Sequence, residues 1–253
     1  TASSSGNYNL ASALADLIDN SITAGAKNIS IDYHQDKEGP FVRIADDGSG
    51  MSRDELIKAM RLAAKNPLDE RDVNDLGRFG QGLKTASFSQ ARQLIVLTKK
   101  GGELCGAAWN QDDIKDFKMK VFDENEVAKM FIDNELFDTK TEVIWRDLAR
   151  LTEKDEVPRE DINRMFAESE KHLELVFHRF IGGRGKKKIK IYVNGNQLKI
   201  IDPFFTDHPA TQALTEEPIE INGEKVVIKP YILPHFSKLS PSEEKNFLGL
   251  RDI

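Results

Sequence analysis

Cysteine is almost missing from this chain: Cys105 is the only one among 253 residues. A single thiol builds no disulfide framework, and so sparse a usage fits a reducing compartment; a cytoplasmic location is expected. Long apolar runs are missing too. None approaches the roughly 20 residues needed to cross a bilayer, and no basic-then-apolar leader opens the chain. Positive charge is not in excess. With 36 Lys and Arg against 42 Asp and Glu, the net charge is −6, so any nucleic-acid contact needs a local patch. The five histidines are scattered and none has zinc spacing with Cys105. No repeat or low-complexity tract is visible. What is present suffices for a core: 39% of the residues are hydrophobic, and the length allows one or two domains. Thr1 and Ile253 do not look like natural ends, so the chain is expected to be a piece of a longer one.

Periodicity assigns most of the elements. Leu10, Ala13, Leu14, Leu17 and Ile18 form the apolar stripe of a helix over 10–24. Asp16, Asp19, Asn20 and Thr23 form a separate polar stripe on it. Ile29, Ile31 and Tyr33 alternate as in a strand, and a second strand over 41–45 runs into Asp46. Ser52 with Glu55 is a capping-box pair opening a helix that carries Leu56, Ala59, Met60 and Ala63. Residues 65–76 are polar and read as a mobile loop. A helix over 83–90 follows, then strands 94–98 and 104–109 around a turn. The stretch 110–140 resists assignment. Further on come a strand over 142–146, a long helix over 160–180, and hairpins turning at Asn194-Gly195 and Asn222-Gly223. Trp109 and Trp145 sit in strands and are expected in the core.

Three segments carry chemistry. In Asp16-Leu17-Ile18-Asp19-Asn20, the i, i+4 spacing places Asp16 and Asn20 on one helix face. A carboxylate there can take a proton from water, and an amide oxygen can ligate Mg²⁺. In Asp46-Asp47-Gly48-Ser49-Gly50-Met51, an acid at a strand end precedes two glycines. It can accept a hydrogen bond from an exocyclic amine such as adenine's, while the glycines let backbone approach a base. In Gly77-Arg78-Phe79-Gly80-Gln81-Gly82-Leu83-Lys84-Thr85, glycines ahead of a helix offer free N–H groups and the helix dipole to phosphates. This is neither the Walker pattern nor a Rossmann fingerprint. Each segment alone has a commoner explanation: a solvated helix face, an ordinary turn, a flexible loop. The basic run Gly182-Gly183-Arg184-Gly185-Lys186-Lys187-Lys188 could meet nucleic-acid phosphates, although a solvated loop explains it as well.

The ordered combination resembles the GHKL ATPase superfamily, which includes gyrase B, the large heat-shock chaperone, histidine kinases and MutL. Residues 16–20 look like its N-box, 46–50 its Asp-x-Gly-x-Gly box and 77–82 its Gly-x-x-Gly-x-Gly box. Thr141-Glu142-Val143-Ile144-Trp145 looks like its last strand motif. The MORC branch is the nearest in flavour, and Ala24-Gly25-Ala26-Lys27 is also MutL-like. The resemblance covers residues 8 to about 200. It implies an α+β fold: a two-layer α/β sandwich of the Bergerat type, a mixed sheet with helices on one face. That domain would occupy 1–203, and 204–253 would begin an incomplete S5-like transducer domain. The cofactors implied are ATP and Mg²⁺. Asn20 would bind Mg²⁺ and Asp46 the adenine amine, with Thr141 in support. Gly48, Gly50 and Met51 would line the base. Gly80, Gly82, Leu83, Lys84 and Thr85 would hold phosphates, Gly77, Phe79 and Gln81 would also bind the cofactor, and 62–80 would form a lid. Asp16 stands where the family usually has Glu, one methylene longer, so turnover is expected to be slow. Lys140 replaces the usual glycine before Thr141. The activity implied is that of an ATP-gated clamp that dimerises with itself and acts on DNA, with no membrane partner. The alternatives are a nucleotide-switched module without hydrolysis and a heat-shock-type chaperone.

Overall fold

The computed structural model describes residues 8–61, 82–112, 118–148, 159–183 and 188–244. Asn9 starts the first helix, α1 (Leu10–Thr23), by accepting the Ser12 N–H on its side chain at 2.9 Å. All five stripe residues of α1 are buried. Gly25, at φ +82°, turns the chain into β1 (Asn28–Asp36), which pairs antiparallel with β2 (Gly39–Asp46). The expected capping box closes on both sides: Ser52 and Glu55 each accept the other's backbone N–H at the start of α2 (Arg53–Met60). Next come α3 (Gly82–Gln90) and the hairpin of β3 (Gln93–Lys100) and β4 (Glu103–Asn110). The stretch without sequence assignment holds β5 (Lys120–Phe122) and α4 (Glu124–Met130), the latter capped by Asp123. β6 (Thr141–Arg146) follows. The long helix breaks in two, α5 (Arg159–Val176) and α6 (His178–Ile181). The break falls at Phe177, whose backbone leaves the helical range at φ −94°, ψ 12°; Phe177 and Ile181, four residues apart and on the same face, are both buried in the core. Strands β7 (Lys190–Val193) and β8 (Asn196–Gln197) form the hairpin expected at Asn194-Gly195.

One eight-stranded sheet results, in the order β5-β4-β3-β6-β2-β1-β7-β8. It is mixed, because β7 runs parallel to β1 while the other neighbours are antiparallel. Alternate residues of each central strand point to opposite faces. Val42, Ile44, Leu94, Val96, Val143 and Trp145 join the side chains of α1, α2, α3 and α5 in the main core. Phe41, Ile95, Leu97 and Ile144 face the other way, where α4 brings Val127 to Gly106 and Phe122. Two layers with the large helices on one face is the architecture the sequence implied; α4 adds a small cover to the reverse face.

That reverse face also holds a buried ion pair. Arg43 of β2 meets Glu142 of β6 at 2.6 Å, with both side chains almost fully excluded from solvent. Ile132 completes the cluster: its N–H donates to Glu142 and its carbonyl accepts from Arg43.

Beyond the sheet lie two small ribbons. β9 (Gln212–Ala213) pairs with β12 (Tyr231–Ile232), and β10 (Glu217–Ile221) with β11 (Glu224–Ile228). Asn222 and Gly223, both at positive φ, make the expected turn between β10 and β11, and every residue of that hairpin is exposed.

Candidate nucleotide site

The C-terminal end of β2 delivers Asp46 to the helix-covered face of the sheet. In the strand register Asp46 lies opposite Thr141 of β6, which lies opposite Thr98 of β3. These three polar residues form a row across three strands, immediately beyond the apolar rows of the core. Asp46 is only 6% exposed. Its Oδ2 accepts from the Ser21 hydroxyl at 2.9 Å and its Oδ1 from the Gly48 N–H at 2.8 Å. Burial nevertheless pushes its carboxyl up to about 6. Thr98, fully buried, accepts from the Met51 N–H at 2.8 Å, donates to the Lys140 carbonyl at 3.0 Å, and lies 3.4 Å from the Thr141 hydroxyl.

The two motif acids therefore do different jobs. Asp47 turns away and accepts from the Lys27 and Asn28 N–H groups at 2.7 and 2.8 Å, fixing the start of β1. The glycines also divide. A Cβ on Gly48 would strike Asp46 and Ala24 at 2.8–3.1 Å. Gly50, at φ +63°, lies against β3 so closely that a Cβ would fall 2.2 Å from the Lys99 carbonyl oxygen. Its requirement is thus set by packing on the strand. Lys140 stands where the resembled pattern has glycine. Position 140 works through its backbone, donating to the Asp46 carbonyl at 2.7 Å and accepting from the Lys99 N–H at 2.8 Å.

Above this floor lies a cavity of about 280 Å³. Asn20, Asp46, Gly50, Met51, Gly82, Leu83 and Thr141 all line it. The sequence named each of them. Ser21, Ala24, Ser49, Ala59 and the apolar wall of Leu17, Ile44 and Val143 complete it. Asp16 lies one turn of α1 before Asn20, close enough to α3 that a Cβ on Gly82 would sit 3.8 Å from its Oδ2. Asp19 is half-buried beside it, and burial together with the Asp16 charge raises its carboxyl to about 6. Gly77, Phe79, Gly80, Gln81 and the lid expected over 62–80 lie outside the described residues, as does most of the basic run after Gly183.

Two residues expected at the phosphates, Lys84 and Thr85, lie on α3 and do not line this cavity. Thr85 is exposed on α3. Lys84 is 5% exposed, and its ammonium donates to the carbonyls of Ala59 at 2.9 Å and Arg61 at 2.6 Å. Between them the Met60 carbonyl accepts from Trp109 Nε1 at 2.8 Å. Carbonyls at a helix end have no intrahelical partner, so α2 has these three satisfied by side chains from α3 and β4. Burial lowers the Lys84 ammonium's pKa.

The residues fit a magnesium nucleotide. A pocket with apolar walls and one buried acceptor suits a purine whose amine donates. Among the described residues no three His, Cys, Asp or Glu side chains converge on a metal position. Mg²⁺ would suit such a site, because it keeps waters and phosphate oxygens and needs only one or two protein oxygens; Asn20, which lines the cavity, would offer one. Ser21 and Thr98 escaped the sequence reading. Ser21 follows Asn20 directly, and Thr98 becomes visible only once β3 and β6 are set in register.

Among the described residues no helix is long and apolar enough to cross a membrane. The fold is similar to the ATPase region of Saccharomyces cerevisiae topoisomerase II, with a TM-score of 0.50 and 16% identity over 81% of this chain and 55% of that one. In sequence the chain is 35% identical over 91 residues to the ATPase morc-1 of Caenorhabditis elegans, covering 36% of this chain and 10% of that protein. It is 34% identical over 100 residues to the DNA mismatch repair protein MutL of a Thermoanaerobacter strain, covering 38% and 16%. It is 35% identical over 92 residues to the chaperone protein HtpG of Paramagnetospirillum magneticum, covering 32% and 15%. The shared stretch is thus a sixth or less of each of these relatives. A family model described as histidine kinase-, DNA gyrase B- and HSP90-like ATPase matches residues 8–139, just over half of the chain. The chain therefore belongs to the family of histidine kinase-, DNA gyrase B- and HSP90-like ATPases, as an ATP-binding module of the GHKL type.

Proposed function

We propose that this module binds Mg-ATP and hydrolyses it slowly, as the engine of an ATP-gated clamp of MORC or MutL type. The observation that carries the reading is the row Asp46–Thr141–Thr98 beneath a cavity that also takes in Asn20 and the start of α3. The adenine amine donates to Asp46, with Thr141 beside it. Phosphate oxygens meet the N–H groups at the α3 N-terminus, around Gly82 and Leu83, and the glycine segment before it. When bound, Mg²⁺ would be held on the protein side by Asn20 and would offset negative charge on the transferred group. Asp16 accepts a proton from the water that attacks the γ-phosphorus; the bond to the β-phosphate oxygen breaks, leaving ADP and phosphate. Residues 62–80 close over the nucleotide, and closure favours pairing of two copies. DNA is the expected client, by likeness to a mismatch repair protein. Residues 1–203 form the ATPase domain, and 204–253 begin a transducer domain.

Steady-state phosphate release with Mg-ATP tests this, after binding has been verified by calorimetry. Wild type is expected to turn over, and Asp16→Asn to lose on the order of 10²–10⁴-fold in kcat while still binding ATP. Binding without turnover in wild type would replace the clamp engine with a nucleotide switch. Failure to bind at millimolar ATP would remove the reading altogether. Stimulation by unfolded protein rather than by DNA would move the client to a chaperone's.

A further inference from the structure

Tyr8 belongs to none of the motifs, yet it reaches the site. It sits just before Asn9, the cap of α1, and its hydroxyl donates a hydrogen bond to Oδ2 of Asp16 two turns along the helix. Its ring packs against the main core. Its backbone carbonyl accepts from Gln90 Nε2 at 3.0 Å, and Gln90 is itself buried at the far end of α3. Tyr8 is therefore fixed to α3 by its backbone while its side chain holds a carboxylate on α1. Burial and the Asp16 carboxylate raise the phenol well above its ordinary range, so it stays a donor at working pH.

Resting on the hydrolysis reading above, we propose that Tyr8 is a positioning residue for Asp16. The phenol holds Oδ2 and fixes the plane of the carboxylate, leaving Oδ1 to receive the proton of the attacking water. The shortness of aspartate creates the need. Asp16 carries its carboxylate on a single methylene, set against the first residue of α3. A carboxylate at the limit of its reach tolerates little torsional wandering, and small misplacements are costly in rate. A hydrogen bond from a residue anchored in the core removes that freedom.

The test is Tyr8→Phe, which keeps the ring in its packing and removes only the hydroxyl. Its kcat is expected to fall about tenfold, with KM for ATP and the melting temperature almost unchanged. Asp16→Glu carries its carboxylate past the phenol. In that background Tyr8→Phe is expected to change kcat less than about twofold, a coupling that separates positioning from general packing. The inference falls if Tyr8→Phe turns over like wild type, if its effect is all in KM, or if kcat drops by the same factor in both backgrounds. Wild type that binds ATP without turnover overturns the hydrolysis reading and this inference together. Wild-type turnover that ignores the Tyr8 hydroxyl overturns this inference alone.

Discussion

Asp46 and Asp47 are adjacent acids with separate fates, and burial decides between them. Asp47 is satisfied by the β1 backbone. Asp46 is enclosed at the cavity floor, where desolvation raises its carboxyl from 3.8 to about 6; Asp47 adds to the rise, and Gly48 and Ser21 oppose it. Between those two values the folded chain holds a proton that the unfolded chain has released. The Asp46 contribution to stability is therefore most favourable below pH 3.8 and is lost as pH rises through about 6. Ligand binding runs the opposite way, because the adenine amine needs an ionised acceptor. Adenosine has no phosphate to titrate, and an Asp46→Asn variant separates this group from Asp19, whose carboxyl is also raised to about 6. That affinity is expected to fall by about tenfold per pH unit below about 6, measured by calorimetry. Asp46→Asn at about pH 7.5 is expected to bind at least about tenfold more weakly and to lose this pH dependence. Adenosine affinity that stays flat across that range would take Asp46 out of the adenine contact. The motif pointed to Asp46, but its partners were not legible in the sequence. Ser21 and Thr98 are small hydroxyl residues whose meaning comes from what lies across a strand or a helix turn.

Elements were legible where one face is buried throughout or where a cap or turn carries its own local chemistry. The stripe of α1, the Ser52–Glu55 box of α2 and the two Asn-Gly hairpins all stood in the sequence because periodicity and turn chemistry are local. α4 was hidden because Val127 is its one fully buried residue. The parallel pairing of β7 with β1 was hidden because a hairpin signal names only the partner that follows. Lys84 shows how an element can redirect a side chain. By resemblance its ammonium belongs to a phosphate; in the structure it ties α3 to the end of α2, beside Ala59 and Leu83 at the cavity wall. Lys84→Met leaves two helix-end carbonyls without their donor, so a loss of about 2 kcal/mol in stability is expected in chemical denaturation. Adenosine and ATP affinities are expected to fall together, since both need that wall. A loss confined to ATP would return Lys84 to the phosphates.

At the scale of the whole molecule, the two hydrophobic clusters end with Leu198; no described residue after it belongs to either. A chain stopped at residue 203 is therefore expected to melt cooperatively at nearly the same temperature and to bind adenosine as before. A broad, non-cooperative melt would mean that the ribbons after Asp202 help to hold the ATPase fold. The sheet itself raises a different matter, that of alignment. Row Asp46–Thr141–Thr98 exists only while β2, β6 and β3 stay in register, and hydroxyls alone discriminate weakly between registers. Arg43 and Glu142, on the opposite face of the same strands, discriminate strongly. A slip of one residue between β2 and β6 would turn Glu142 into the cavity and strand Arg43 without its carboxylate. Separating a buried pair costs about 3–5 kcal/mol, a large share of a domain's whole stability. The dry side of the sheet thus proofreads the wet side, rejecting misaligned chains before any nucleotide is there to select the correct one.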